Sequence, residues 1–202
     1  MLHGETATKM TINLRDRRRL QTARDIQLAA LRLSLRHGYA CVTTDSIAAE
    51  AGISTRTFFN YYPNKQAAVL GMPPQLDSCA AEWIVTSTGP LVDDLACLLG
   101  RMLEAKEIDR EIVRMIEKVW DTTPELMAVF RNSMDNIALT LGGLLHTRLG
   151  PDRQPEAMLI AELATHALSH AVRHWAADDA MSVSDIPPMI VRQMRQVGHL
   201  LV

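Results

Sequence analysis

The 202-residue chain has room for a small module and one larger core, and with 48% hydrophobic and 22% charged residues it is too apolar for wholesale disorder. Its three cysteines, Cys41, Cys79 and Cys97, are odd in number and too scattered for a disulfide framework or a zinc cluster, and no apolar stretch reaches the roughly 18 residues of a membrane span. The net charge of −2 hides ten Lys/Arg against five acids in residues 1–65, a basic front on an acidic body that suits contact with a polyanion at one end. The first residues lack the apolar run of a leader, so a reducing, cytoplasmic location is expected.

Residues 1–14 show no periodicity and read as a flexible basic arm. From Arg15 to His37, Leu20, Ala23, Ile26, Ala30 and Leu33 recur every three or four positions, which predicts an amphipathic helix stopped by Gly38 as a left-handed cap. Two short helices follow. Thr44 is the expected N-cap of DSIAAEA, Gly52 the break, Ser54 the N-cap of TRTFFNYY, and Pro63 the end. Each has only about two turns, too few to persist alone, so both must pack on the first helix. KQAAVLGM predicts a fourth helix, closed by Pro73-Pro74, where the boundary between a 15–72 module and a 73–202 body is placed. Beyond it helices are expected near 75–86, 91–106, 108–121, 125–149, 156–177 and 185–201, separated by Gly/Pro/Thr/Ser breaks. No strand-like alternation survives, so the fold class is all-α.

The two short helices have the spacing of a helix-turn-helix. Ile47 and Ala51 face inward, Ala48 is small where the helices cross, Gly52 permits the turn, and Ile53 and Phe58 fill the space between. Thr55, Arg56, Thr57, Asn60 and Tyr61 then form an exposed set able to read base edges and phosphates. The stretch GYACVTTDSIAAEAGISTRTFFNYYPNKQAAV resembles the N-terminal module of the TetR family of bacterial regulators, over roughly residues 15–70. That resemblance implies a homodimer whose recognition helices enter successive major grooves of double-stranded DNA. It also implies that residues 73–202 bind a small effector and pair the subunits, with repression as the family habit. Carried over by position, Thr44 and Lys65 would meet phosphates, and Ser54, Thr55, Arg56, Asn60 and Tyr61 would serve the recognition helix. The chain departs from the family at Phe59, where a tyrosine is usual. Phe58 and Tyr62 are expected in the core, and Arg56 is the residue chosen for base readout. Arg17, Arg18 and Arg19 touch phosphate, the minor groove, or nothing.

In the body, the helix from Glu156 to Ala177 is apolar around most of its circumference and needs two partners. With the last helix, it is expected to form a four-helix dimer interface with its symmetry copies. Few aromatics lie beyond residue 62, so Met115, Trp120, Phe130 and Met134 are the pocket candidates for an apolar effector. His166, His170 and His174, with Glu162, share one helix face. That spacing could hold a metal, but a polar stripe at an interface edge is the preferred reading. Cys41 is expected to be a buried thiol. No phosphate loop, dinucleotide fingerprint or HExxH occurs, and neither Asp93-Asp94 nor Asp178-Asp179 can converge on one site; neither an enzyme nor a cofactor is expected. The rival readings are a regulator answering to a partner protein or metal instead of an effector and, further off, an all-α enzyme.

Overall fold

The computed structural model describes residues 14–73 and 78–201, and within them the secondary structure is helical throughout. Ten α-helices follow in order among the described residues: α1 (Leu14–His37), α2 (Thr44–Glu50), α3 (Thr55–Phe59), α4 (Lys65–Leu70), α5 (Ser78–Thr86), α6 (Leu91–Lys106), α7 (Arg110–Trp120), α8 (Pro124–Leu149), α9 (Gln154–Ala177) and α10 (Ile186–Leu200). None of them is long and apolar enough to cross a membrane. The arm expected over residues 1–14 lies outside the described residues, apart from Leu14.

The helix ends refine the sequence-based expectations. Gly38 does stop α1, but its φ of 80° and ψ of 139° lie outside the left-handed helical basin, so the chain leaves extended into a 3-10 turn at Tyr39–Cys41. The cap of α2 is Thr43, not Thr44: the Thr43 hydroxyl accepts from Ser46 N at 3.1 Å while Ser46 Oγ accepts from Thr43 N at 3.0 Å. Ser54 caps α3 as expected. Helix α4 stops at Leu70, before the prolines, because Gly71 adopts φ 75°. A Cβ at Gly71 would also stand 2.8 Å from Nε2 of Gln27, whose amide donates to the Val69 carbonyl.

Two apolar clusters organise the chain. One gathers Ile26, Leu31, Ile47, Phe58 and Val69 from α1–α4, and it takes in Ile112 and Val119 of α7 and Leu126 of α8. The other is built from α5, α6, α8, α9 and α10 around Ile84, Leu98, Leu141, Leu145, Trp175, Ile186 and Ile190. Helix α7 therefore lies beyond the Pro73-Pro74 break in sequence yet completes the N-terminal core. Its other side is bracketed to the end of α9. The Arg110 guanidinium donates to the carbonyls of Asp178 and Met181 and lies 4.8 Å from the Trp175 ring centroid, and Arg114 donates to the Ala176 carbonyl and to Asp179 Oδ1 at 2.8 Å. Arg114 first, then Arg110, holds the Asp179 carboxyl below its usual range.

Among the described residues, the body carries one buried ion pair. Arg148 reaches Asp94 at 2.8 Å and the carbonyls of Gly89 and Ile84 at 2.8 and 3.2 Å, while Ser87 donates to the same carboxylate. Both charges thus have hydrogen-bonding partners, the condition under which burial is tolerated. Of the adjacent aspartates, Asp94 is fixed inside, Asp93 pairs with Arg195 at 2.8 Å, and Asp179 serves the α7–α9 bracket. Cys41 is exposed, contrary to the buried thiol expected, because it ends the 3-10 turn facing outward.

Candidate nucleic-acid interface

Helix α3 is only five residues long and is positioned by its surroundings rather than by its own hydrogen bonds. Ser54 Oγ accepts from Thr57 N at 3.1 Å and shares a hydrogen bond with Thr57 Oγ1 at 2.8 Å. Thr55 Oγ1 donates to Asp45 Oδ1 at 2.6 Å, which ties the start of α3 to α2. Phe58 is fully buried beneath the helix. After the helix, Tyr62 is buried and its hydroxyl donates to the Ala23 carbonyl of α1 at 3.1 Å; burial pushes that phenol up to about 12.

The expected site residues thus fall into two groups. Arg56 and Asn60 are exposed on α3 and at its C-cap. Ser54, Thr55 and Thr57 lie beside them, but their hydroxyls serve the cap and the α2–α3 tie. Tyr61 is half-buried and packs on the N-terminal core, while Thr44 is half-buried in the first turn of α2. Phe59 is 53% exposed, with its ring edge-on to Phe58 at 5.3 Å, so the residue that departs from the family presents an apolar ring at the surface.

Lys65, assigned to phosphate by resemblance, is engaged within the protein. Its Nζ donates to the carbonyls of Tyr39 and Val42 at 3.2 and 3.1 Å and sits 4.3 Å from the Tyr39 ring centroid, leaving one N–H for another partner. Sequence reasoning missed Thr43, whose signal is the Thr-x-x-Ser spacing to Ser46, and Asp109. Asp109 caps α7 by accepting from Glu111 N and Ile112 N at 2.8 and 3.2 Å, and it accepts from Arg24 Nε of α1 at 2.8 Å. Burial pulls this carboxyl upward, but the Arg24 hydrogen bond and the two amides prevail and hold it below its usual range.

In the body, Met115 and Trp120 pack on the N-terminal core, and Phe130 meets Trp120 with ring centroids 4.5 Å apart. Met134 instead packs against the other cluster. The Trp120 indole N–H is buried without a hydrogen-bond acceptor among the described residues. Glu162, His166, His170 and His174 are all exposed on α9, and His170 Nδ1 shares a hydrogen bond with Gln193 of α10 at 2.8 Å. Among the described residues no group of three or more His, Cys, Asp or Glu side chains is placed to hold a metal.

Residues 26–70, the buried part of α1 through α4, match the family of bacterial regulatory proteins, tetR family. A candidate transcriptional regulator of mycofactocin biosynthesis from Mycobacterium tuberculosis, MftR, is 30% identical over 182 residues, spanning 84% of this chain and 87% of the relative. The chain belongs to the TetR family of transcriptional regulators. YvkB of Bacillus subtilis, an uncharacterised HTH-type regulator, is 31% identical over 87 residues, or 43% of this chain and 46% of its own. A TetR-family candidate regulator from Mesorhizobium loti shares the fold, with a TM-score of 0.51 over 89% of this chain and 96% of its own at 16% identity. For a TetR regulator the helix-turn-helix is thus α2, the tight turn at Gly52, and α3, with Arg56 and Asn60 outermost. The arginines that precede residue 26 lie outside the matched stretch.

Proposed function

We propose that this TetR regulator acts as a cytoplasmic homodimer that inserts α3 of each subunit into successive major grooves and represses genes until a small apolar effector binds residues 73–202. The observation that carries this reading is the contrast on α3, where Phe58 and the Ser54 cap fix the helix while Arg56 and Asn60 stand free of the core. An arginine fork there suits bidentate recognition of guanine, worth about 1–3 kcal/mol of discrimination. Dimerisation through α9 and α10 is supported by the outer side of α9, where Leu159 is 65% exposed and leads into the histidine face. Leu200 and Leu201 leave further apolar surface at the end of α10.

Effector control runs through α7. Ile112 and Val119 belong to the N-terminal core, while Arg110 and Arg114 grip the end of α9, so a shift of α7 relative to α9 moves the module. Release follows if the effector favours a separation of the two recognition helices that no longer matches the groove repeat of about 34–36 Å. Met115, Trp120 and Phe130, with Met134 one turn further along α8, are the residues assigned to the effector. Asp93, Asp94 and Asp179 are taken up in ion pairs with Arg195, Arg148 and Arg114, and no catalysis is assigned to them.

The test is binding to a DNA fragment from upstream of the chain's own gene, titrated with salt and repeated with Arg56→Ala. Specific, steeply salt-dependent binding that loses its sequence preference in the variant supports the reading. Binding equal to that on random DNA across upstream and neighbouring fragments counts against it.

A further inference from the structure

Helix α1 begins outside the protein's core. All residues of Leu14–Leu20 are exposed, whereas burial sets in at Ile26 and, Arg32 apart, continues to Ser34. The first two turns therefore project from the module with no apolar surface to hold them. Their charge pattern is unfavourable as well: Arg15, Arg17, Arg18 and Arg19 crowd this segment against a single acid, Asp16. Arg15 stands three and four positions before Arg18 and Arg19, the spacing at which like charges on a helix repel. Positive charge in the first turns also opposes the helix dipole. Among the described residues, no ion pair engages any of the four arginines, while the next one along, Arg24, is held by Asp109 of α7. A polyanion laid along this segment reverses both penalties.

The position of the segment says which polyanion. Tyr62, which follows α3 closely, is pinned to the carbonyl of Ala23, so the exit of the recognition helix lies against the root of the projection. At 1.5 Å per residue, Arg19 lies about 6 Å and Arg15 about 12 Å along the axis from Ala23, a reach of about two to four phosphates at the roughly 3.4 Å axial spacing of one strand. We propose that Arg15, Arg18 and Arg19 form a second DNA contact, binding backbone phosphates beside the base pairs that α3 reads and contributing affinity without sequence preference. This rests on the DNA-binding reading of α3.

The experiment uses the full chain and two duplexes of equal length, one from upstream of its gene and one of random sequence, with affinity followed from about 0.05 to 0.2 M salt. Three variants are compared with the parent: the triple Arg15→Gln, Arg18→Gln, Arg19→Gln; the same triple change to Lys; and Arg56→Ala. For the glutamine variant the log–log salt slope becomes shallower by about one for each phosphate that an arginine no longer neutralises, approaching about three per subunit. Affinity falls by the same factor on both duplexes, the lysine variant keeps the parent slope, and the melting temperature of the glutamine variant does not fall, because the three positions lie outside the core and the change relieves their mutual repulsion. Arg56→Ala instead narrows the difference between the duplexes. A glutamine variant whose slope changes by less than about one, a loss confined to one duplex, or a lysine variant as weak as the glutamine one overturns the proposal. A parent chain with no salt-dependent binding to either duplex overturns the DNA reading and this proposal together, so the two failures are told apart by the parent alone.

Discussion

The helices that build the N-terminal core and those that build the body are started by different chemistry. Helices α2, α3, α4 and α7 each have a side-chain N-cap: Thr43, Ser54, Asn64 and Asp109. At the start of α6, α8, α9 and α10 no side chain caps the helix, and α8, α9 and α10 carry a proline in the first turn instead. The lengths explain the difference. The capped helices run from 5 to 11 residues, too short to offset nucleation by themselves, so each orphan N–H that a side chain satisfies matters. The uncapped ones run from 15 to 26 residues and bury long apolar faces, so they form without a side-chain cap, and in α8, α9 and α10 proline's preset φ helps to start them. Helix α7 follows the rule of the core it packs into rather than that of its place in the sequence. A module held by local caps can keep α3 fixed while most of that helix's surface stays available to DNA.

The strongest way to break this comparison is at the two centres. In the body, Arg148→Ala leaves Asp94 buried with its main partner gone and is expected to cost about 3–5 kcal/mol in urea unfolding. In the module, Phe58→Ala empties a fully buried site and is expected to cost a similar roughly 3–5 kcal/mol. Unfolding of the two variants should separate by probe. Trp83 reports on the body cluster and Trp120 on the module core, so Phe58→Ala should advance the Trp120 transition before that of Trp83. Coincident transitions in both variants would mean that α7 fuses the clusters into one cooperative unit.

A smaller effect sharpens the role of α7. Asp109→Ala removes both the cap and the link to Arg24, and a loss of about 1–2 kcal/mol is expected; Asp109→Asn keeps an acceptor for the cap and should lose well under half of that. The pH dependence has a definite sign. Because the native carboxyl titrates below its unfolded value, its stabilisation is complete above about pH 4 and is lost as pH falls through the native value. The stability gap between the parent and Asp109→Asn should therefore be constant from neutral pH down to that range and close below it. A gap that widens on acidification would mean the carboxylate is not the stabilising form.

The legible parts of this fold are those that periodicity controls. The bounds of α6, α8 and α9 fall within two residues of expectation because long apolar faces and Gly/Pro breaks are sequence-local. The burial of Phe58 and the exposure of Arg56 follow from the helix-turn-helix spacing in the same way. What escapes depends on neighbours distant in sequence. The bonds from the Lys65 ammonium to the carbonyls of Tyr39 and Val42 depend on the 3-10 turn, so the phosphate role that the resemblance implies for it would fall to the remaining N–H. Met115 and Trp120 read as body residues until α7 turns them toward the N-terminal core. Gly71 preempts the prolines because Gln27, more than forty positions earlier, occupies the space a side chain would need.

The cap of α2 is the finest point at which sequence and structure part, and the smallest effect that can be measured. Two threonines stand in a row, and propensity alone cannot choose between them, since either could accept from an amide two or three residues on. The choice falls to the partner: Ser46 is three residues after Thr43, so its hydroxyl can return a bond to the Thr43 amide, whereas the residue three after Thr44 is Ile47, which has no such group and is buried in the core. Thr43→Ala should therefore lower stability by about 1 kcal/mol, and Thr44→Ala by a few tenths at most. On DNA the order should invert. Thr44 sits in the first helical turn with its hydroxyl outside the capping box, so its loss should weaken phosphate binding and salt dependence while leaving the melting temperature in place. If Thr43→Ala weakens DNA binding more than Thr44→Ala at a temperature where both are fully folded, the phosphate ligand stands one residue earlier than the family pattern implies.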